Sequence, residues 1–204
     1  MSRIEFARLK LQRALQDTLA TAARTIPARA SQYAKYLKSW TCCELPKMYG
    51  LIKVHKTPVA VRPIVTCQYW LTTRLSQVCA CELNLLITQH LPHVLKSPPE
   101  LTEQLQTFQS PVLDPNALSF VTAEVVGLYP SIPIDDALLT IRRVVAAQTC
   151  TDYAKMLFRW MVVVFTNALV SFKGRTYVQR HGFPMGTPLA PAAANIFMAV
   201  KEDC

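Results

Sequence analysis

Residues 177–198, YVQRHGFPMGTPLAPAAANIFM, constrain the fold more than any other part of the sequence. They predict a short strand, a Gly-Phe-Pro-Met-Gly loop, and then a helix that opens at Thr187 and Pro188. Thr187 suits the N-cap position, and Pro188 suits the first helical position, where no backbone donor is needed. Gly182 and Gly186 let the loop backbone approach a bulky neighbour closely. Such a loop before a helix N-terminus is a place where phosphate or a stacked nucleotide can bind.

The rest of the chain predicts an α+β fold with basic helices at its start. Apolar residues at helical spacing predict helices over residues 4–23, 28–40, 69–91 and 151–164, with a short helix inside the polar connection 96–116. A further helix is expected with Asp135 as its N-cap and Leu138, Ile141 and Val145 as its buried stripe. Alternation and turn residues predict strands at 49–54, 59–65 and 118–126, and a hairpin of 170–172 with 176–179.

The net charge of +9 is unevenly distributed. Residues 1–56 hold 11 of the 22 Lys and Arg but three of the 13 Asp and Glu, a net charge of +8. This asymmetry favours a polyanionic partner, although a solvated basic face accounts for charge alone equally well. Glu5 and Asp17 make an organelle transit peptide the weaker interpretation of this region.

The cysteines and the hydropathy pattern exclude several classes. The seven cysteines include no Cys-x-x-Cys pair, which indicates free thiols in a reducing compartment. A metal site at His90 and His93 is disfavoured because Pro92 interrupts the helix that such a pair needs. The longest apolar run, near residues 161–170, is shorter than the roughly 20 residues of a membrane span. We therefore expect no membrane segment and an intracellular protein.

Basic residues cluster on the first predicted hairpin. Lys53, His55, Lys56 and Arg62 lie on or beside it, and Pro63 holds the Arg62 backbone extended. The planar guanidinium and the point charge of lysine both suit a triphosphate. Each of these residues taken singly also has an ordinary structural explanation, such as a solvated hairpin lysine.

Three motifs in order make a specific resemblance. YGLIKVHK with RPIV, then EVVGLYPSIPIDDAL, and then SFKGRTYVQRHGFPMGTPLAPAAANIFM are similar to the reverse transcriptase domain of Penelope-like retroelements. The resemblance covers residues 47–200, and residues 1–45 match no family. It implies a right-hand polymerase fold with fingers and an incomplete palm, acting on an RNA template, a DNA primer and a deoxynucleotide (dNTP). For such an element we expect a nuclear location.

The resemblance also implies roles for particular residues. Basic finger residues grip the incoming triphosphate, here Lys53, Lys56 and Arg62. Tyr129 takes the place of the aromatic residue that blocks a ribose 2′-hydroxyl and so favours deoxynucleotides. This residue argues against a third alternative, an RNA-dependent RNA polymerase, which has to accept the 2′-hydroxyl. The remaining nucleotide-binding positions lie in the loop and the helix behind it: Phe183, Met185, Gly186, Thr187 and Asn195.

The catalytic carboxylates depart from the family pattern. The family uses two Mg²⁺ ions about 3.5–4 Å apart, held by at least two carboxylate positions. At the first position, catalytic and metal-binding, the family has Asp and this chain has Glu124. The second position, an aromatic-x-Asp-Asp turn expected beyond Asn195, is not found before Cys204. Asp135 and Asp136 are interpreted as a helix cap and not as a substitute for that second position. Because the second carboxylate position is not found, we expect the chain to be inactive or nearly so.

These observations divide the chain into three predicted parts. Residues 1–45 form a basic helical region, 46–116 the fingers, and 117–204 a partial palm. The alternative function is a non-enzymatic nucleic-acid-binding remnant held by the basic first 56 residues. Strong salt dependence without Mg²⁺ dependence would characterise that alternative.

Overall fold

A computed structural model of the chain describes residues 3–38, 44–54, 57–108 and 121–202. Its helices and strands follow one another in the order α1 (Arg3–Thr25), α2 (Pro27–Lys38), β1 (Lys47–Lys53), β2 (Ala60–Thr66), α3 (Thr73–His90), α4 (Pro98–Thr107), α5 (Leu128–Ser131), α6 (Ile134–Gln148), α7 (Thr151–Thr166), β3 (Leu169–Phe172), β4 (Arg175–Val178) and α8 (Leu189–Glu202). The prediction of an α+β fold is confirmed.

Helices α3, α6, α7 and α8 enclose the core. Helix α7 contributes two of the largest buried side chains, Trp160 and Phe165, which are 1% exposed. The predicted stripe of α6, formed by Leu138, Ile141 and Val145, is buried against the same cluster. Burying a large apolar side chain stabilises a fold by about 1.5–3 kcal/mol. The apolar periodicity of these helices therefore accounts for where the core lies.

Small side chains bring α8 close to its neighbours. The helix packs on α3 and α6, and it buries several alanines together with Ile196 and Phe197. Alanine gives the strongest intrinsic preference for helix and keeps a side chain short at a helix contact. The AAA run at 192–194 is fully buried, so this part of α8 contacts its neighbours through short side chains.

The sheet has the strand order β2-β1-β3-β4. Strands β1 and β2 pair antiparallel from Lys47 with Thr66 to Lys53 with Ala60, and β1 meets β3 in parallel at Lys47 and Ser171. Strands β3 and β4 form the second hairpin, with positive φ at Lys173 and Gly174 in its turn. Both predicted hairpins are confirmed, because alternation and turn chemistry are local signals.

The N-terminal helices pack on this core. Ala22, Ile26, Ala30 and Tyr33 belong to the same buried cluster as the side chains of α3, α6, α7 and α8. A smaller cluster joins Leu11 to Trp70 and Leu71. The described part of residues 1–45 thus shares its hydrophobic core with the rest of the protein.

The predicted strand at 118–126 is wrong over residues 121–126, which form no strand; residues 118–120 lie outside the described ranges. Val121 and Val126 are each 90% exposed. The valines raise the local β-propensity, but a strand also needs a partner for its ladder and cover for one face. The segment has neither among the described residues, so composition alone misled the prediction.

The predicted cap of α6 is also wrong. Pro133 is the N-cap residue. Asp135 and Asp136 lie in the first turn, where their negative charges interact favourably with the positive end of the helix dipole. Within the described ranges, no helix combines the length and the apolarity that crossing a membrane requires.

Candidate functional site

The loop between β4 and α8 fits between two other segments. Gly186 has φ +89°, and a Cβ there would overlap the carbonyl oxygen of Val65 on β2. Gly182 has φ +69°, and its Cβ would stand 2.6 Å from the carbonyl oxygen of Pro130 in α5. Side chains are excluded at both positions by conformation and by space. The two glycines therefore let one loop contact β2 at one end and α5 at the other.

Backbone and side-chain hydrogen bonds fix the start of the loop. Phe183 N donates to the carbonyl oxygen of Tyr129 at 2.7 Å. Gln179 Nε2 donates to the carbonyl oxygens of His181 and Gly182 at 3.1 and 3.2 Å. The hydrogen bond from Phe183 thus ties the backbone of Tyr129 to the loop.

Phe183 supports the loop from within the core. Its ring is fully buried and stacks on Phe165, with centroids 4.7 Å apart and planes within 10° of parallel. Tyr129 is half-buried and packs at the edge of the same core cluster. Met185 is half-buried and Gly186 is exposed. Of these predicted site residues, Phe183 holds the loop in place, and Met185 and Gly186 reach its surface.

The cap of α8 differs from the prediction. The amide of Leu189 at the start of the helix donates to Ser76 Oγ of α3 at 2.9 Å. The Oγ1 of Thr187 instead lies 3.9 Å from the Sγ of Cys67 and contacts that thiol. Burial raises the pKa of the Cys67 thiol. A cap from another helix cannot be read from local sequence, which explains the error at Thr187.

Lys53 and Arg62 lie on the same face of the first hairpin. Arg62 pairs with Leu51, and Lys53 follows Leu51 by two positions, so the two cationic side chains share one side of the sheet. Arg62 is exposed and Lys53 half-buried. Lys56, the third predicted phosphate ligand, lies outside the described residues.

Glu124 is exposed and lies in the irregular segment before α5. Across the described parts of the chain, no three His, Cys, Asp or Glu side chains converge into a group that could hold a metal ion. Two ions need carboxylates from at least two positions. Glu124 on an unpaired segment does not fit that requirement.

Asn195 lies on the exposed side of α8, about two turns beyond the loop. The alternating buried and exposed residues around it follow from the amphipathic pattern of α8.

A cavity of about 480 Å³ opens beside Gly186, and sequence reasoning missed most of its residues. Its lining is polar and apolar in about equal parts, and besides Gly186, Val65 and Pro188 its walls come from the ends of α2 and β2 and from the start of α3. The side chains with hydrogen-bonding or stacking capacity there are those of Tyr36, Thr66, Gln68, Tyr69, Thr73, Arg74 and Gln77.

Arg74 and Tyr36 form a cation–π pair in the wall of this cavity. The Arg74 guanidinium lies 4.7 Å from the centroid of the Tyr36 ring and donates to the Tyr36 carbonyl oxygen. The Tyr36 hydroxyl donates to Gln77 Oε1. The cavity thus combines a positive charge, an aromatic ring and amide groups that can pair with a base edge.

A larger cavity of about 690 Å³ lies at the other end of the loop, between Gly182 and the start of α6. Asp135, Asp136, Arg180 and His181 contribute charged or titratable groups to its walls. The loop 182–187 is therefore the partition between two open volumes.

A buried carboxylate that the sequence did not reveal joins three helices. Glu82 of α3 is fully buried and accepts a hydrogen bond from Arg29 Nη1 of α2 at 2.7 Å. The hydroxyls of Tyr33 and Tyr153 donate to its two oxygens. Burial, reinforced by the hydrogen bond to Glu82, raises the pKa of both tyrosines above the usual range, so both remain donors. The charge pattern of α3 gives no hint of this, because both donor helices are distant in sequence.

Comparison of the chain with protein-family models and with curated proteins finds no match. What the structure contributes is a convergence of three segments that are far apart in sequence. The backbone of the 182–187 loop approaches two other segments so closely that neither glycine has room for a Cβ. Gly186 meets Val65, on the strand of Arg62, and Gly182 meets Pro130, beside Tyr129.

Proposed function

We propose that the chain is the fingers and partial palm of a reverse transcriptase-type polymerase, and that it binds an RNA template, a DNA primer and a dNTP. The observation that carries the proposal is the fit of the 182–187 loop between Val65 and Pro130. That fit brings the segments of Arg62 and Tyr129 together at one loop. A polymerase needs phosphate, sugar and base contacts on one bound nucleotide, and these segments offer all three.

Each segment would make one kind of contact. Lys53 and Arg62 would bind the triphosphate from their shared face of the hairpin, Arg62 by its planar fork. Tyr129, held beside the loop by the Phe183 amide, would exclude a ribose 2′-hydroxyl. Met185 and Gly186, at the loop surface, would contact the base pair.

The cavity beside Gly186 is the proposed binding site for a template base. Its volume of about 480 Å³ falls in the range of about 300–1,000 Å³ typical of ligand pockets. A base could stack on the aromatic side chains and pair its edge with Gln68 or Gln77, while Arg74 meets the backbone phosphate.

Catalysis by this chain is expected to be weak or absent. The family's chemistry relies on Mg²⁺, whose ligands would include Glu124, and the described carboxylates do not form a centre of that kind. The proposed activity of the chain is therefore nucleotide-dependent binding of primer and template, and no reaction step is assigned to it.

The second candidate is a non-enzymatic nucleic-acid-binding remnant. The observation that favours it is the net charge of +8 over residues 1–56 together with the exposed, unpaired position of Glu124. Binding of this kind neutralises phosphates by Lys and Arg and falls linearly in log affinity with log salt. A dNTP has no role in it.

The two candidates separate in a binding experiment. A fluorescent DNA primer with a dideoxy 3′ end, annealed to an RNA template, is titrated with the chain in Mg²⁺ with cognate or non-cognate dNTP. The polymerase proposal expects cognate dNTP to tighten binding by about fivefold or more. An affinity that depends on salt alone, with no effect of cognate dNTP, would overturn it in favour of the remnant.

Matched variants locate the effect. Arg62→Ala should remove most of the dNTP response, because the triphosphate loses its bidentate contact. Arg143→Ala, which removes an exposed arginine from α6, should retain the response and differ from the wild type only in its salt dependence. Equal losses in both variants would show that total charge, and not the Arg62 position, determines binding.

A further inference from the structure

A cavity of about 440 Å³ lies between α1 and α7. Ala14, Thr18 and Thr21 of α1 line it at spacings of four and three residues, so one side of that helix forms a wall. Met156, Trp160 and Val163 line the opposite wall at the same spacings on α7, and the lining is mainly apolar. The volume falls in the range of about 300–1,000 Å³ typical of ligand pockets. A cavity of this kind can enclose a small organic molecule.

Trp160 brings an unused hydrogen-bond donor to this cavity. Its side chain is 1% exposed, and its indole Nε1 has no hydrogen-bond partner among the described residues. Nearly all buried polar groups in proteins have such a partner. Trp70, which is also buried, follows that rule, because its Nε1 donates to the carbonyl oxygen of Asn167 at 3.0 Å. A molecule bound in the cavity that Trp160 lines can supply the missing acceptor.

The hydroxyls on the α1 wall already donate within their own helix. Thr18 Oγ1 donates to the carbonyl oxygen of Ala14 at 2.7 Å, and Thr21 Oγ1 donates to that of Asp17 at 2.9 Å. A hydroxyl has one proton, so neither threonine can donate to a ligand without breaking that bond. Among the uncharged groups that line the cavity, Trp160 Nε1 is therefore the donor that a ligand can use without such a loss.

The charges around the cavity favour an uncharged ligand. Asp17 and Arg159 are the two charged residues of the lining, and both are exposed. A ligand with a charge of either sign would be attracted by one of them and repelled by the other. It would also lose hydration against the apolar wall. A neutral molecule avoids both costs.

We propose that the cavity between α1 and α7 binds an uncharged aromatic molecule with a carbonyl group, and that Trp160 Nε1 donates to the carbonyl oxygen. Phe158 and Trp160 supply rings for aromatic contacts. Tyr33 packs on the Trp160 indole, with centroids 6.5 Å apart and planes at 78°, and so holds the donor in place before the ligand binds. The cavity shares no lining residue with either cavity beside the 182–187 loop, and the proposal does not rest on the proposed function.

Proton–nitrogen NMR of the chain tests the hydrogen bond with two probes. Acetophenone and ethylbenzene are closely matched in shape, and acetophenone alone carries a carbonyl group. Each is titrated at roughly millimolar concentration, as expected for ligands of so few atoms. Acetophenone should shift the Trp160 indole N–H resonance saturably and bind about threefold to tenfold more tightly than ethylbenzene, the factor that one net hydrogen bond supplies. Equal affinities, or no saturable shift, would overturn the proposal.

A matched pair of tryptophan variants locates the donor. Trp160→Phe removes the N–H and keeps an aromatic ring, so acetophenone and ethylbenzene should bind it with equal affinity. Trp70→Phe removes a buried indole that already has its acceptor, and it should keep the preference for acetophenone. A preference that survives in Trp160→Phe would assign the hydrogen bond to another group and refute the role of Trp160.

A second pair of variants locates the cavity and leaves Trp160 in place. Ala14→Leu fills the cavity from α1 with a residue that favours helix, and it should weaken the binding of both probes. Gln16→Leu adds the same side chain on the exposed side of α1 and should leave both affinities unchanged. Circular dichroism checks that each variant keeps its helices. If Ala14→Leu binds the probes as the wild type does, they bind elsewhere and the proposal is wrong.

Discussion

Replacing Gly186 with alanine tests the fit on which the proposed site depends. The glycine has φ +89°, and a Cβ would overlap the Val65 carbonyl oxygen and stand 3.1 Å from its carbonyl carbon. The overlap involves backbone on both sides, so no side-chain rotation relieves it. The loop or β2 has to move, and the convergence of segments at the loop is lost with it.

A second glycine separates the two causes of destabilisation. Gly174 has φ +75° in the turn between β3 and β4, and its Cβ would meet nothing within 4 Å. Gly174→Ala therefore carries only the cost of the left-handed conformation, about 1–2 kcal/mol. The lower entropy of the unfolded alanine chain offsets about 0.4–1 kcal/mol of that. We expect a net loss of about 0.5–1 kcal/mol.

Gly186→Ala should lower the free energy of unfolding by more than Gly174→Ala does, because its Cβ also overlaps the Val65 backbone. Overpacking of this kind costs about 1–3 kcal/mol beyond the conformational term, so the total is about 2–4 kcal/mol. Urea unfolding followed by circular dichroism gives the free energy of unfolding for both variants and the wild type. If Gly186→Ala destabilises no more than Gly174→Ala, the loop does not contact β2 as described.

Three further perturbations follow from the same structure. Glu82→Ala leaves the hydroxyls of Tyr33 and Tyr153 without their acceptor and should lower the free energy of unfolding by about 3 kcal/mol in urea titrations; an unchanged midpoint would contradict the buried network. Because the pKa of both tyrosines is raised in the folded protein, their contribution to the free energy of unfolding is fully present below about pH 10 and is lost at higher pH. Urea midpoints measured across that range should fall less steeply in the Tyr33→Phe/Tyr153→Phe variant than in the wild type, and parallel curves would refute the assignment. Ser76→Ala removes the cap of α8 and should cost about 1 kcal/mol, measured by the same titration; no loss would mean that the helix is capped by another group.

Local patterns predicted the parts of the fold that depend on local physics. The α6 stripe of Leu138, Ile141 and Val145 followed from helical spacing, and both hairpins followed from alternation between turn residues. The strand proposed over 121–126 failed because a strand is defined by its partner, and valine content cannot supply one.

Non-local contacts account for what the sequence concealed. Glu82 reads as a surface acid on α3, and only the packing of α2 and α7 makes it a buried acceptor. Ser76 caps a helix that begins more than a hundred positions later. The loop of the candidate site lies in a motif that is visible in the sequence, whereas Tyr36 and Arg74 line the cavity beside Gly186 only because α2 and α3 meet there.

Hydrogen–deuterium exchange tests the central proposal most directly. The chain is compared with primer–template alone and with primer–template plus cognate dNTP and Mg²⁺. The account predicts that the nucleotide adds protection together in three segments: the β1–β2 hairpin, the turn around Tyr129, and the 182–187 loop. Protection confined to the basic helices α1 and α2, with no change on adding dNTP, would contradict it.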